Sequence, residues 1–99
     1  MDISKKNNPV KWFQYNDDER YKLKWLSPYA ITEIKDETFI RENLLDWEGV
    51  NADGEKAECS ESNKKKFIQS FEGNERLVWM VGKAMDSKNF TDLDDAKKK

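Results

Sequence analysis

The chain has 99 residues, of which 36% are hydrophobic and 38% charged, and its formal net charge is −2 from 18 basic and 20 acidic side chains. This length supports one domain with one core, and the balanced charge excludes a global field that would draw the protein onto nucleic acid or an anionic membrane. Histidine is absent, which excludes imidazole acid–base catalysis and zinc sites built on histidine within these residues.

Four Trp, five Phe and three Tyr predict a folded, aromatic-rich core in spite of the high charge. No apolar run approaches the roughly 18 residues of a spanning helix, and the polar start of the chain does not match a signal peptide. The single cysteine, Cys59, excludes an internal disulfide. We therefore predict a cytoplasmic, non-enzymatic protein without membrane contact.

Composition divides the chain into three parts. Residues 1–9 are polar and predict a loose N-terminus, residues 10–88 carry the apolar periodicity of a single α+β domain, and residues 89–99 predict a polar, flexible C-terminal tail. No internal repeat is present.

The domain begins with an antiparallel β-hairpin, with strands at about 10–15 and 21–26. In the second strand apolar residues alternate with lysines, which predicts that Tyr21, Leu23 and Trp25 face the core while Lys22 and Lys24 face water.

Residues 27–49 predict two helical segments. Ser27 followed by proline indicates a helix start, with Ile31 and Ile34 as its apolar stripe, and a second cap signal begins near Asp36. The second segment ends at Gly49. Its apolar residues at helical spacing are Phe39, Ile40, Leu44 and Trp47.

A tight turn at Asp53-Gly54 predicts a short strand or hairpin near 50–58. Ser60 or Ser62 then caps a helix that ends at Gly73, and Asn74 caps the last one, for three to four helices in all. The residues predicted to face inward are Phe67, Ile68 and Phe71 in the first of these helices, and Leu77, Val78, Val81 and Met85 in the second, with Trp79 and Met80 off the stripe.

Two candidate sites have simpler explanations. Asn51 to Gly54 suggests a calcium loop, but with Gly54 as the sixth loop residue Gly49 and Ser60 occupy positions one and twelve, and neither supplies a carboxylate. Cys59 precedes a helix start, yet Glu58 and Glu61 beside it disfavour a thiolate. We predict no catalytic, cofactor-binding or metal-binding residue.

Aromatic side chains outside the expected core stripe are the better candidates for a binding surface. Exposed Trp and Tyr commonly anchor protein interfaces. If Trp12 shares the core face with Val10, then Phe13 and Tyr15 point outward, and Trp79 lies off the main stripe of its helix. The candidate protein-interface residues are therefore Trp12, Phe13, Tyr15 and Trp79, each of which a loop or the tail could instead bury.

The order of these motifs resembles that of small proteins encoded among the tail genes of tailed bacteriophages and prophages. The resemblance rests on Leu26-Ser27-Pro28 after the hairpin, on the junction Trp47-Glu48-Gly49-Val50, on Asp53-Gly54-Glu55 and on the cap at Ser60 to Lys64. It covers most of residues 10–85, whereas the abundance of Trp and Lys departs from the family.

The resemblance implies a tail assembly chaperone-like factor that binds the tape-measure or tail-tube protein in the cytoplasm of a bacterial host, or that stays with the virion. It carries over no catalytic residue. The alternative is a small nucleic-acid-binding or regulatory module that uses Lys22 and Lys24 together with Lys64 to Lys66, although flanking glutamates would cancel much of that field.

Overall fold

The structure, a computed structural model, describes residues 8–27 and 35–91. Its architecture is the predicted α+β class, with an N-terminal hairpin followed by helices and short strands. The predicted helix after Ser27, with its stripe of Ile31 and Ile34, falls outside the described residues, as do residues 1–7 and 92–99.

The predicted hairpin is confirmed. Strands β1 (Val10–Gln14) and β2 (Arg20–Lys24) pair antiparallel, with Phe13 opposite Tyr21. Asn16 shapes the turn, because its Oδ1 accepts hydrogen bonds from the backbone N–H groups of Asp18 at 2.9 Å and Glu19 at 2.7 Å. Such a side-chain-to-backbone bond is why Asn favours turns.

Helix α1 (Asp36–Asn43) is shorter than the second predicted segment, and strand β3 (Leu44–Glu48) follows it directly. The prediction of a helix through Trp47 was therefore wrong. Strand β3 pairs antiparallel with β2, which completes a three-stranded sheet in the order β1-β2-β3.

A β-bulge explains why the sequence from Leu44 to Trp47 has the spacing of a helix. The register between β2 and β3 shifts at Lys22/Leu23, so that Leu44 pairs with Leu23 and Trp47 pairs with Tyr21. Three positions apart in a regular strand, Leu44 and Trp47 would face opposite sides. The extra residue turns both inward, where they are 0% and 3% exposed, and so produces the spacing of a helix.

Gly49 ends β3 rather than a helix. It has a φ of +87°, and a Cβ built on it would lie 2.0 Å from the carbonyl oxygen of Asp18, so the backbone of β3 passes directly against the first hairpin turn. Beyond it the predicted second hairpin is confirmed, with β4 (Asn51–Ala52) and β5 (Glu55–Lys56) joined by Asp53 and Gly54, both of positive φ.

Two helices follow with one serine between them. Helix α2 (Glu61–Gln69) is capped by Ser60, whose Oγ accepts from Asn63 N–H at 3.2 Å. Helix α3 (Phe71–Met85) is capped by Ser70, so the predicted stop at Gly73 and cap at Asn74 were wrong.

The break at Ser70 changes which side of α3 is buried. Phe71 and Val78, both predicted to face inward, are 80% and 76% exposed, whereas Met80, predicted off the stripe, is 0% exposed. The buried stripe is Gly73, Leu77, Met80 and Ala84. Five consecutive apolar residues at 77–81 fit several helix faces, so periodicity alone did not decide between them.

The core lies between helices α1 to α3 and the inner face of the sheet, which is the side that carries Phe13, Tyr21 and Trp47. A helical turn over 88–91 closes one end of it, where the Phe90 ring meets Phe13 edge-to-face at 5.5 Å and is 8% exposed. Packed residues thus extend into the segment predicted as a tail from residue 89. No helix within 8–27 and 35–91 is both long and apolar enough to cross a membrane.

Candidate functional site

The three-stranded sheet has an outer face that carries side chains of alternate residues. Because Phe13, Tyr21 and Trp47 are buried on the inner face, the alternate residues of each strand project to the other side. We call this the outer sheet face; its residues are Val10, Trp12 and Gln14 on β1, Arg20, Lys22 and Lys24 on β2, and Asp46 and Glu48 on β3.

A row of three side chains crosses the outer sheet face. The guanidinium of Arg20 lies 4.4 Å from the ring centroid of Trp12, and its Nε donates to Glu48 Oε2 at 2.8 Å. Stacking and ion pairing together fix the Arg20 side chain over one face of the indole. Trp12 is half-buried and retains accessible surface.

The four sequence-predicted interface residues separate onto two faces. Only Trp12 lies on the outer sheet face. Phe13 is a core residue at 8% exposure, and Tyr15 and Trp79 are half-buried against the inner face, with their rings edge-to-face at 5.0 Å. The sequence left open whether Trp12 or the pair Phe13 and Tyr15 faces the core. In the structure Phe13 is in the core and Tyr15 lies on the same side of the sheet, whereas Trp12 lies on the opposite side.

A cleft of about 640 Å³ opens on the other side of the molecule. Its floor contains the stacked rings of Trp47 and Phe67, 5.3 Å apart, and Trp47 is held there because its Nε1–H donates to the Ala57 carbonyl at 2.7 Å. The rim is polar and of mixed charge, with Asp53, Asn63, Lys66, Glu72, Glu19 and Arg76.

Glu19 and Arg76 form the best-connected polar group in the cleft, although they are 57 residues apart. Arg76 donates from Nε at 2.5 Å and from a terminal nitrogen at 2.8 Å, so the pair is bidentate. The Tyr21 hydroxyl at 2.5 Å and the Asn16 amide at 2.9 Å also donate to the same carboxylate. With four donors, the oxygens of Glu19 are fully occupied.

These contacts change the acidity of each partner. The hydrogen bonds from Arg76 lower the pKa of Glu19 to about 2, with further lowering by Tyr21 and Asn16, although partial burial opposes it. Burial and the neighbouring Glu19 carboxylate raise the pKa of Tyr21, and the hydrogen bond to Glu19 raises the pKa of Arg76. A carboxylate that stays ionised and fully bonded near neutral pH cannot act as a proton shuttle there.

Sequence reasoning missed this cluster. Glu19 lies in the turn between the two strands of the hairpin, and no spacing in the chain connects it to Arg76. The hairpin turn and the first half of α3 come together only because α3 packs across the inner face of the sheet.

The two lysine groups of the nucleic-acid hypothesis lie on opposite sides of the sheet. Lys22 and Lys24 project from the outer sheet face, whereas α2, which carries Lys64 to Lys66, packs on the inner face, with the Phe67 ring 5.9 Å from that of Tyr21. The lysines therefore do not form one continuous basic surface.

Cys59 is half-buried next to the start of α2. Burial raises the pKa of its thiol to about 11, with Asp46 adding to the rise and Lys64 opposing it. The thiolate, which is the nucleophilic form, is therefore scarce near neutral pH.

Comparison with models of protein families, with curated proteins and with solved structures finds no match to this chain.

Proposed function

We propose that the chain is a non-enzymatic protein that acts through protein–protein contacts during the assembly of a phage or prophage tail. The outer sheet face supports a role in protein–protein contacts. The order of motifs from the hairpin to the Ser60 cap supports a role in tail assembly. The observation that carries the proposal is the partly accessible Trp12 on the outer sheet face, with the Arg20 guanidinium stacked on its ring.

Composition favours a protein partner for this face. Trp and Arg are the residues most enriched among energetically dominant interface positions. On the same face Val10 is also exposed, at 39%. On this face β2 carries basic side chains and β3 carries acidic ones. A partner with the complementary charge pattern would therefore bind in one orientation.

The partner that the resemblance implies is a tape-measure or tail-tube protein. A photo-crosslinking amino acid placed at Trp12 tests this directly in phage-producing bacteria, with the same amino acid at Lys65, on α2, as the matched control. We expect adducts with a tail protein from position 12 and not from position 65. Adducts at position 12 with proteins unrelated to the virion would contradict the tail assignment.

Binding to the identified tail protein then tests the surface. We expect Trp12→Ala to weaken binding by on the order of tenfold or more, since the substitution removes the aromatic anchor. Glu58→Ala, an exposed change outside the outer sheet face, is the control and should leave binding unchanged. Equal affinities for the two variants would show that the outer sheet face is not the contact surface.

A further inference from the structure

Two of the three cations on the outer sheet face have an acidic residue opposite them. Arg20 lies opposite Glu48 in the register of β2 and β3, and its guanidinium donates to that carboxylate. Lys22 lies opposite Asp46 in the same register. Side chains directly opposite each other in antiparallel strands lie about 5 Å apart at Cβ, so each of these cations has an acidic neighbour.

The third cation, Lys24, has no acidic residue opposite it. On β1 its partner in the register is Val10. On the other side β3 begins at Leu44, which lies opposite the residue before Lys24, and the position before Leu44 is the buried Asn43 at the end of α1. Among the described residues Lys24 forms no ion pair. Its charge is therefore the one on this face that has no local counter-charge in the described part of the chain.

Lys24 lies beside the accessible apolar surface of the same face. Val10, directly opposite, is 39% exposed, and Trp12, diagonally opposite, is partly accessible. Diagonal neighbours on adjacent strands lie roughly 7–8 Å apart, within reach of long side chains. A cation at the border of an apolar surface is complementary to a segment that carries a carboxylate next to an apolar side chain.

We propose that Lys24 determines the chemistry of the partner that binds the outer sheet face. The docking segment of that partner is acidic at one end, where it places a carboxylate on Lys24, and it packs an apolar side chain against Val10 and Trp12. This inference rests on the proposed function, because it names the chemistry of a protein bound to the same face. The acidic end of the segment lies over Lys24 and away from Asp46 and Glu48, which fixes its orientation.

The acidic side chains of β3 favour a protein over a nucleic acid as this partner. A nucleic-acid strand carries a phosphate at every nucleotide, so a strand lying across the face would place phosphates near Asp46 and Glu48 as well as near Lys24. Like charges brought together in an interface oppose binding. A protein segment can carry a carboxylate at Lys24 and neutral side chains elsewhere.

Crosslinking from position 10 identifies the docking segment. A photo-crosslinking amino acid in place of Val10 lies opposite Lys24 and leaves Trp12 unchanged. In phage-producing bacteria we expect protein adducts, and mass spectrometry of the digested adduct should show a segment that contains Asp or Glu. A segment without an acidic residue, or adducts that a nuclease removes, would overturn the inference.

Charge reversal at Lys24 measures its contribution to binding of the protein identified by crosslinking. We expect Lys24→Glu to weaken binding by roughly fivefold or more at low salt, because a paired cation becomes a repelling anion, and Lys24→Gln to weaken it less. Lys65→Glu, the same change at an exposed lysine of α2, is the matched control and should leave binding unchanged. Equal affinities for Lys24→Glu and Lys65→Glu would overturn the inference.

A charge swap tests the pairing itself. When the acidic residue of the docking segment is changed to Lys, binding to the wild-type chain should weaken and binding to Lys24→Glu should recover. Recovery cannot result from a folding defect in either protein, because such defects would add to each other. Failure of the swapped pair to recover affinity would contradict the assigned contact.

The outcomes separate this inference from the proposed function. Adducts with a tail protein whose yield is the same in Lys24→Glu would overturn the role of Lys24 and leave the tail assignment in place. Adducts with a protein unrelated to the virion that depend on Lys24 and pass the charge swap would contradict the tail assignment and support the acidic docking segment. Absence of any protein adduct from position 10 would overturn both.

Discussion

At the scale of single residues, the Glu19–Arg76 pair links the hairpin turn to α3. Its side chains are only 15% and 14% exposed, whereas those of the Arg20–Glu48 pair are 43% and 49% exposed. Solvent screens the exposed pair strongly and the covered pair much less. The two ion pairs therefore provide a matched comparison within one molecule.

We expect Glu19→Gln to lower the free energy of unfolding at neutral pH by about 2 kcal/mol, because Arg76 and Tyr21 lose a charged acceptor. The comparison variant Glu48→Gln should change it by less than about 0.5 kcal/mol. Urea unfolding at matched concentrations measures both. Equal effects of the two substitutions would show that coverage by α3 does not strengthen the Glu19 pair.

The pH dependence follows from the same carboxylate. The pKa of Glu19 in the folded protein, about 2, lies below its ordinary 4.5, so its contribution to stability is complete above pH 4.5 and is lost as the pH falls towards 2. In Glu19→Gln that contribution is missing at every pH. The stability difference between wild type and variant should therefore shrink between neutral pH and about pH 3.

At the scale of elements, the junction between α2 and α3 depends on a serine and a glycine. Ser70 donates from its hydroxyl to the Phe67 carbonyl at 2.8 Å and accepts from Gly73 N–H at 2.9 Å, so one side chain ends α2 and begins α3. Gly73 faces the end of α2 so closely that an added Cβ would lie 1.8 Å from the Phe67 carbonyl oxygen. The angle between the two helices requires a residue without Cβ at that position.

Gly73→Ala should accordingly destabilise the protein by more than about 2 kcal/mol, because the added methyl group forces the backbone of α2 and α3 apart. Gly82→Ala, in the same helix and with open space around it, should be neutral or stabilising by up to about 1 kcal/mol. Thermal unfolding of dilute protein compares them. If both variants melted at the same temperature, the close approach at Gly73 would not be a constraint.

At the scale of the whole molecule, the last described turn closes the fold onto its first strand. The Phe90 ring packs on Phe13, and Lys11 Nζ donates to the Asn89 carbonyl at 2.9 Å, which joins positions 78 residues apart. Contacts of such separation carry a large loop-closure entropy cost, which the packing of the domain between them offsets.

We expect Phe90→Ala to lower the free energy of unfolding by about 3 kcal/mol, since it leaves a cavity beside Phe13. Phe71→Ala removes the same side chain from a position that is 80% exposed and should change the free energy of unfolding by less than about 0.5 kcal/mol. Chemical unfolding in dilute solution distinguishes them. A small effect at Phe90 would place the turn over 88–91 outside the cooperative fold.

Local signals in the sequence determined much of this protein. Alternating lysines specified the hairpin and its inward residues, Asp53-Gly54 specified the second turn, and a serine cap at Ser60 or Ser62 specified the start of α2. Each of these depends on a residue's preference for its own backbone conformation or on a periodicity of two, and neither requires distant partners.

Tertiary structure decided what the local pattern left ambiguous. Leu44 and Trp47 have helical spacing in the sequence, yet pairing with β2 makes them strand residues around a bulge. Five consecutive apolar residues in α3 left its buried side undefined until packing on the sheet selected Met80 and exposed Val78. The Glu19–Arg76 pair and the outer sheet face with Trp12 exist only because distant segments pack together, and packing energy depends on all neighbours at once.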